Sequence, residues 1–108
     1  MGRRPLLARR GKTRVTVPAE LISNDGMEAI NLSESGMKLK STLECKLNML
    51  GYLELLIPDE TIVVEGRYVW VEQVGDLWMV GVKFNAPRPA EKKVLKTYIE
   101  SRLPEFAD

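Results

Sequence analysis

Two short segments of the chain hold residue types suited to binding a small anionic ligand. The first is Arg9-Arg10-Gly11-Lys12-Thr13-Arg14. A guanidinium offers a planar fork of donors for phosphate oxygens and a flat face that stacks on a base. Arg10 and Arg14 stand four apart, and Gly11 between them leaves the backbone free to wrap two sides of one ligand. The second segment is Asn31-Leu32-Ser33-Glu34-Ser35-Gly36. Asn31 carries a donor and an acceptor that can match a purine edge, and Ser33 adds a hydroxyl. Gly36 permits either a positive φ or a close backbone approach. Neither segment is specific alone. Basic clusters occur on many surfaces, and Asn-x-Ser-x-x-Gly also describes an ordinary polar turn between strands.

Charge and composition narrow the chemistry. The net charge of +1 conceals an asymmetry, because Arg3, Arg4, Arg9, Arg10, Lys12 and Arg14 place six cations in the first fourteen residues with no acid among them. The rest of the chain holds ten basic and fifteen acidic side chains, a net charge of −5. A cationic arm on an acidic body calls for an anionic partner: nucleotide phosphates, nucleic acid or lipid headgroups. With no histidine and Cys45 as its one cysteine, the chain cannot build a Ser-His-Asp or Cys-His arrangement, an internal disulfide or the usual zinc sites. The expectation is a protein that is not an enzyme and needs no cofactor. No stretch is long enough to cross a bilayer, and no apolar leader opens the sequence, so membrane insertion is not expected and a cytoplasmic location is.

The elements that must position these residues are mostly strands. The chain of 108 residues has room for one domain. Residues 1–8, which include Pro5, read as a flexible basic arm, and residues 9–108 as the domain. Val15, Val17, Ala19 and Leu21 alternate with polar neighbours and predict a first strand over residues 14–22, with Pro18 marking an edge or bulge. Asn24-Asp25-Gly26 is a turn, and Met27 to Leu32 a second strand. Met37 to Leu39 resumes as a short third strand. Residues 43–50 read equally as loop or helical turn. Tyr52 to Ile57, Thr61 to Val74 and Leu77 to Phe84 complete six strands, with a bulge or bend expected at Gly66. Pro89 opens a helix to Arg102, whose Val94, Leu95, Tyr98 and Ile99 form one apolar stripe. Six short strands followed by one helix predict a mainly β, six-stranded antiparallel barrel with a C-terminal α-helix over one open end.

Together the motifs resemble the PilZ domain family. An Arg-x-x-x-Arg segment leads into the first strand, Asn-x-Ser-x-x-Gly joins the second and third, and Val80-Gly81-Val82-Lys83-Phe84 lies near the end, in the family's order. The resemblance implies a PilZ-type barrel that binds the bacterial second messenger cyclic di-GMP. It also implies that Arg10 and Arg14 contact phosphates and guanine faces, with Arg9 as an additional arginine. Asn31 would read a guanine edge, while Ser33 and Gly36 shape the turn. Trp70 is a further candidate for stacking on a guanine, whereas Trp78 reads as core or rim packing. The chain departs from many ligand-binding members in having Thr13, rather than a bulky residue, before the second arginine, and Asn31 in place of the more frequent Asp.

The implied function is a receptor or adaptor that orders its arm on the ligand and signals through a protein partner. Motility, biofilm or exopolysaccharide control is what the family suggests. Two alternatives use the same features. One is a PilZ-like adaptor that does not bind the nucleotide. The other is a nucleic-acid or anionic-surface binder, against which the acidic body and the want of a basic stripe weigh.

Overall fold

Alternation of apolar and polar residues sets the strands, because successive side chains point to opposite faces. The computed structural model describes residues 13–103. Within them lie β1 (Val15–Thr16), β2 (Met27–Leu32), β3 (Gly36–Ser41), β4 (Leu50–Ile57), β5 (Glu60–Val74), β6 (Leu77–Phe84) and the helix α1 (Pro89–Arg102). The expected arm over residues 1–8, together with Arg9 and Arg10, lies outside the described residues. Every neighbouring pair is antiparallel, in the order β1-β2-β3-β6-β5-β4. The sheet curls into a half-barrel, so the expected mainly β architecture with one C-terminal helix is what the chain adopts.

The connection between β1 and β2 crosses the open side. Ile22 forms a single antiparallel bridge with Leu55 of β4, and the Ser23 N–H donates to the Glu54 carbonyl at 3.0 Å. Asn24 extends this seam with its side chain. Its Nδ2 donates to the Tyr52 carbonyl at 2.9 Å and its Oδ1 accepts from the Glu54 N–H at 3.0 Å. A side-chain amide thus occupies ladder positions that backbone would otherwise fill.

Several elements depart from the sequence expectation. The strand predicted over residues 14–22 ends after Thr16. Pro18 has no N–H to continue a ladder, and a 3₁₀ turn over Ala19–Leu21 follows, with the Leu21 N–H donating to the Pro18 carbonyl at 3.0 Å. Val15, Val17 and Leu21 are buried all the same. Residues 43–49 form no regular element; Asn48 turns there at φ 69°, and β4 begins at Leu50. Gly66 carries no bulge. Pairing runs unshifted through it on both sides, and the glycine is needed because a Cβ would stand 2.4 Å from Val82 Cγ1.

The core lies between the inner face of the sheet and α1. Leu32, Met37, Leu39, Leu55 and Val80 are fully enclosed, as are Leu95 and Ile99 of the helix. Tyr68 joins them, and burial, followed by the influence of Cys45, pushes its hydroxyl pKa up, which keeps the side chain neutral in the core. At the start of α1, Glu91 accepts from the Arg88 backbone N–H at 3.0 Å. At its end, Arg102 Nε donates to the Thr16 carbonyl at 2.8 Å and ties the helix to β1. No helix among the described residues is long and apolar enough to cross a membrane.

Because Leu95 is fully buried on the one helix that closes the core, Leu95→Ala should destabilise the fold by about 2–5 kcal/mol. Urea unfolding followed by tryptophan fluorescence measures this; a loss below about 1 kcal/mol would mean that α1 does not seal the barrel.

Candidate functional site

The outer face of the sheet is built in rows across the strands. One row runs Thr16, Asn31, Lys38, Gly81, Trp70, from β1 through β2, β3 and β6 to β5. The adjacent row, Val15, Leu32, Met37, Val82, Tyr68, is buried in the core. Strict alternation alone would not align the two rows across every strand. β2 carries a register shift between Ala29 and Asn31, leaving Ile30 as the extra residue, and β5 carries one between Tyr68 and Trp70, leaving Val69 extra. Each bulge places two residues in succession toward the outside and so re-aims Asn31 and Trp70. The bulge also turns Val69 outward, and it is 47% exposed.

Arg14 stands just before β1, beside this row. Its guanidinium donates to Asn31 Oδ1 at 2.9 Å. Arginine can only donate, so the contact fixes the amide with oxygen toward Arg14 and leaves the two Nδ2 donors for another acceptor. The two sequence motifs therefore meet at one point, because β1 pairs with β2 at Thr16 and Asn31.

Ser33 is 1% exposed, and its role is internal to the turn. Its N–H donates to the Gly36 carbonyl at 2.8 Å, and its Oγ accepts from the Ser35 N–H at 3.3 Å. Gly36 does not have a positive φ; among the described residues Gly26 and Gly75 are the glycines that do. What Gly36 supplies is close approach, since a Cβ there would stand 2.1 Å from the Val82 carbonyl oxygen. Glu34 of the same turn has a buried Oε2 without a hydrogen-bond partner among the described residues.

Trp70 is 42% exposed, whereas Trp78 is half-buried against the core. The indole packs over Gly81, whose own Cβ would lie 3.3 Å from Trp70 Cβ and 3.5 Å from Cε3. Over the ring lies the Lys38 ammonium, 5.4 Å from the centroid, an exposed cation–π contact worth about 0.5–1 kcal/mol. Lys38 was not singled out in the sequence. In β3 it reads as the polar member of an alternating strand, and only pairing with both Asn31 and Gly81 brings it to the centre of the row. Arg9 and Arg10 lie outside the described residues. Of the remaining candidates the structure brings Arg14, Asn31 and Trp70 to one face, with Ser33 and Gly36 as the turn beneath it.

The described residues thus form a curled β-sheet domain with cationic, amide and aromatic groups along one exposed row. The PilZ domain family profile matches residues 5–101, nearly the whole chain, and the chain belongs to that family. PilZ domains are generally receptors for cyclic di-GMP and are typically not catalysts. No curated protein matches the chain significantly.

Adding a methyl group by Gly36→Ala forces β3 and β6 apart at Val82. The expected cost is about 1–3 kcal/mol, read from urea unfolding. An unchanged midpoint would show that the ladder does not depend on that approach.

Proposed function

We propose that this domain is a cyclic di-GMP receptor that holds the nucleotide on the outer row of Asn31, Lys38 and Trp70 and closes over it with the arginines of its arm. The observation that carries the reading is the 2.9 Å hydrogen bond from Arg14 to Asn31, which joins the last arginine of one motif to the first residue of the other. The ligand has two phosphates and two flat purines. Arg14 keeps donors free for a phosphate, and Arg9 and Arg10 bring two more guanidinium groups along the same segment. Asn31 offers its Nδ2 donors to the acceptors of a guanine, with its orientation set by Arg14. Trp70 offers the indole face that Lys38 covers in the free protein, so a purine that stacks there moves the ammonium toward the ligand's phosphate.

The energetics are sufficient. A hydrogen bond to a charged group contributes about 1.5–3 kcal/mol, and a micromolar complex needs about 8 kcal/mol. Two or three arginine contacts with stacking reach that figure after the arm is ordered. Bound ligand then fixes the arm against β1 and β2 and creates a surface for a downstream protein. The edge strand β4 supports output through a partner, since Leu50, Tyr52 and Leu56 stand 47%, 69% and 43% exposed along it.

Calorimetric titration of cyclic di-GMP into the wild type, Arg10→Ala and Asn31→Ala tests the reading. The wild type should bind at or below micromolar concentrations. Each substitution should weaken binding at least about tenfold, or 1.4 kcal/mol. A wild type that gives no heat, and no response in a direct-binding assay far above micromolar ligand, would overturn it.

A further inference from the structure

Beside the Asn31–Trp70 row lies a second outward row: Gly36, Lys83, Arg67 and Leu50. Lys83 of β6 and Arg67 of β5 are directly paired and both exposed. Like charges facing each other across an antiparallel pair are destabilising, with Cβ atoms only about 5 Å apart. Neither cation has an ion pair or side-chain hydrogen bond among the described residues. Glu65, two residues before Arg67, is engaged instead by Asn85 Nδ2 at 2.7 Å. The row on the other side of Asn31–Trp70 is different. There Lys40 is neutralised by Glu28 at 3.2 Å, and Glu72 lies in the same row. Cations are therefore compensated on one flank of the row and left uncompensated on the other, on a body that is acidic overall.

We infer that Arg67 and Lys83 form a second anion subsite, which takes the phosphodiester of cyclic di-GMP that the arm does not hold. The inference rests on the receptor reading above and adds residues outside both motifs. Register places Gly81 at the centre: Lys38 flanks it in β3, Trp70 in β5, and Lys83 follows two residues on in β6. Gly81 carries no side chain and lies beneath the Trp70 indole, so a flat ligand stacked on that ring lies next to the row of Lys83 and Arg67. Arg67 supplies a fork for two phosphate oxygens and Lys83 a mobile point charge. An anion between them removes their mutual repulsion, so the strain present in the free sheet adds to the affinity for the ligand. The pair is thus a stability cost in the free protein and a gain in the complex.

That opposition sets the test. Arg67→Gln and Lys83→Gln are compared with the wild type and with Lys96→Gln, an exposed cation on α1. Thermal unfolding is followed without ligand, and cyclic di-GMP is titrated by calorimetry at low and high salt. Both row variants should unfold at or above the wild-type temperature, bind the ligand about tenfold more weakly and lose part of the salt dependence. Lys96→Gln should match the wild type. Wild-type binding that survives unchanged in both row variants overturns the subsite and leaves the receptor reading standing. A wild type that does not bind at all overturns the receptor reading and the subsite with it. Weaker binding accompanied by a lowered unfolding temperature also overturns the subsite, because the residues would then be supporting the sheet.

Discussion

The pairing of β3 with β6 is the contact on which the rest of the molecule depends. It joins two units that are local in sequence, the β2–β3 hairpin and the β4–β5–β6 meander. One unit carries Asn31 and Lys38 and the other Gly81 and Trp70, so the outer row exists only when the two are in register. The ladder is held at Gly36, where the backbone of β3 lies too close to the Val82 carbonyl for any side chain. It is extended past that point by the Phe84 N–H, which donates to the Ser35 carbonyl at 2.8 Å. The glycine that ends the Asn-x-Ser-x-x-Gly segment is therefore a residue of sheet assembly as much as of a turn. Contacts so distant in sequence form at the cost of loop-closure entropy, which a close and well-bonded ladder offsets.

The two bulges give the sheet its division of labour. A strand that alternates strictly presents every second residue to the core. In β2 and β5 a pair of consecutive residues faces out, Ile30 with Asn31 and Val69 with Trp70, and the inward sequence resumes at Leu32 and Val71. The cost is one unpaired residue in each ladder. In β2 the Ile30 carbonyl still accepts from the Val17 N–H at 3.3 Å, so the bulge also helps to seat the segment after β1. The same irregularity thus serves the row and holds the chain that leads to the arm. Arg102 completes the anchorage from the other side through the Thr16 carbonyl. A strand of two residues would be weak by itself; here it is held by β2, by the segment after it and by the helix.

Much of this was legible in the residues. β2, β6 and α1 follow directly from their patterns, and Pro89 and Glu91 mark the start of the helix. The motif residues Arg14 and Asn31 were identifiable by type, and their meeting follows from one short antiparallel pairing. What the pattern could not carry is non-local or depends on exceptions to alternation. Pro18 cut the first strand short although the burial of Val15, Val17 and Leu21 kept the alternating rhythm, because burial period and hydrogen-bonded ladder are separate properties. Gly66 suggested a bulge by residue type, whereas its role is to let Val82 pack against β5.

Lys38, Arg67 and Lys83 show the same limit from the side of function. Lys38 and Arg67 are ordinary polar residues in their own strands, and Lys83, although it lies in the Val80–Phe84 segment, has no charge or spacing that distinguishes it from Lys40. The difference lies in the cross-strand neighbour. Lys40 faces Glu28 and is neutralised, Lys38 faces Asn31 and Gly81 and turns to an indole, and Lys83 faces a second cation. An acidic body could have supplied a counter-ion to Lys38 or Lys83 as it does to Lys40, yet neither has an ion pair among the described residues. The charge asymmetry visible between arm and body is therefore repeated within the body at the scale of a few strands. An anion arriving at this face meets cations whose nearest paired neighbours offer them no compensation, which makes charge placement, more than net charge, the property that suits the domain to a phosphate ligand.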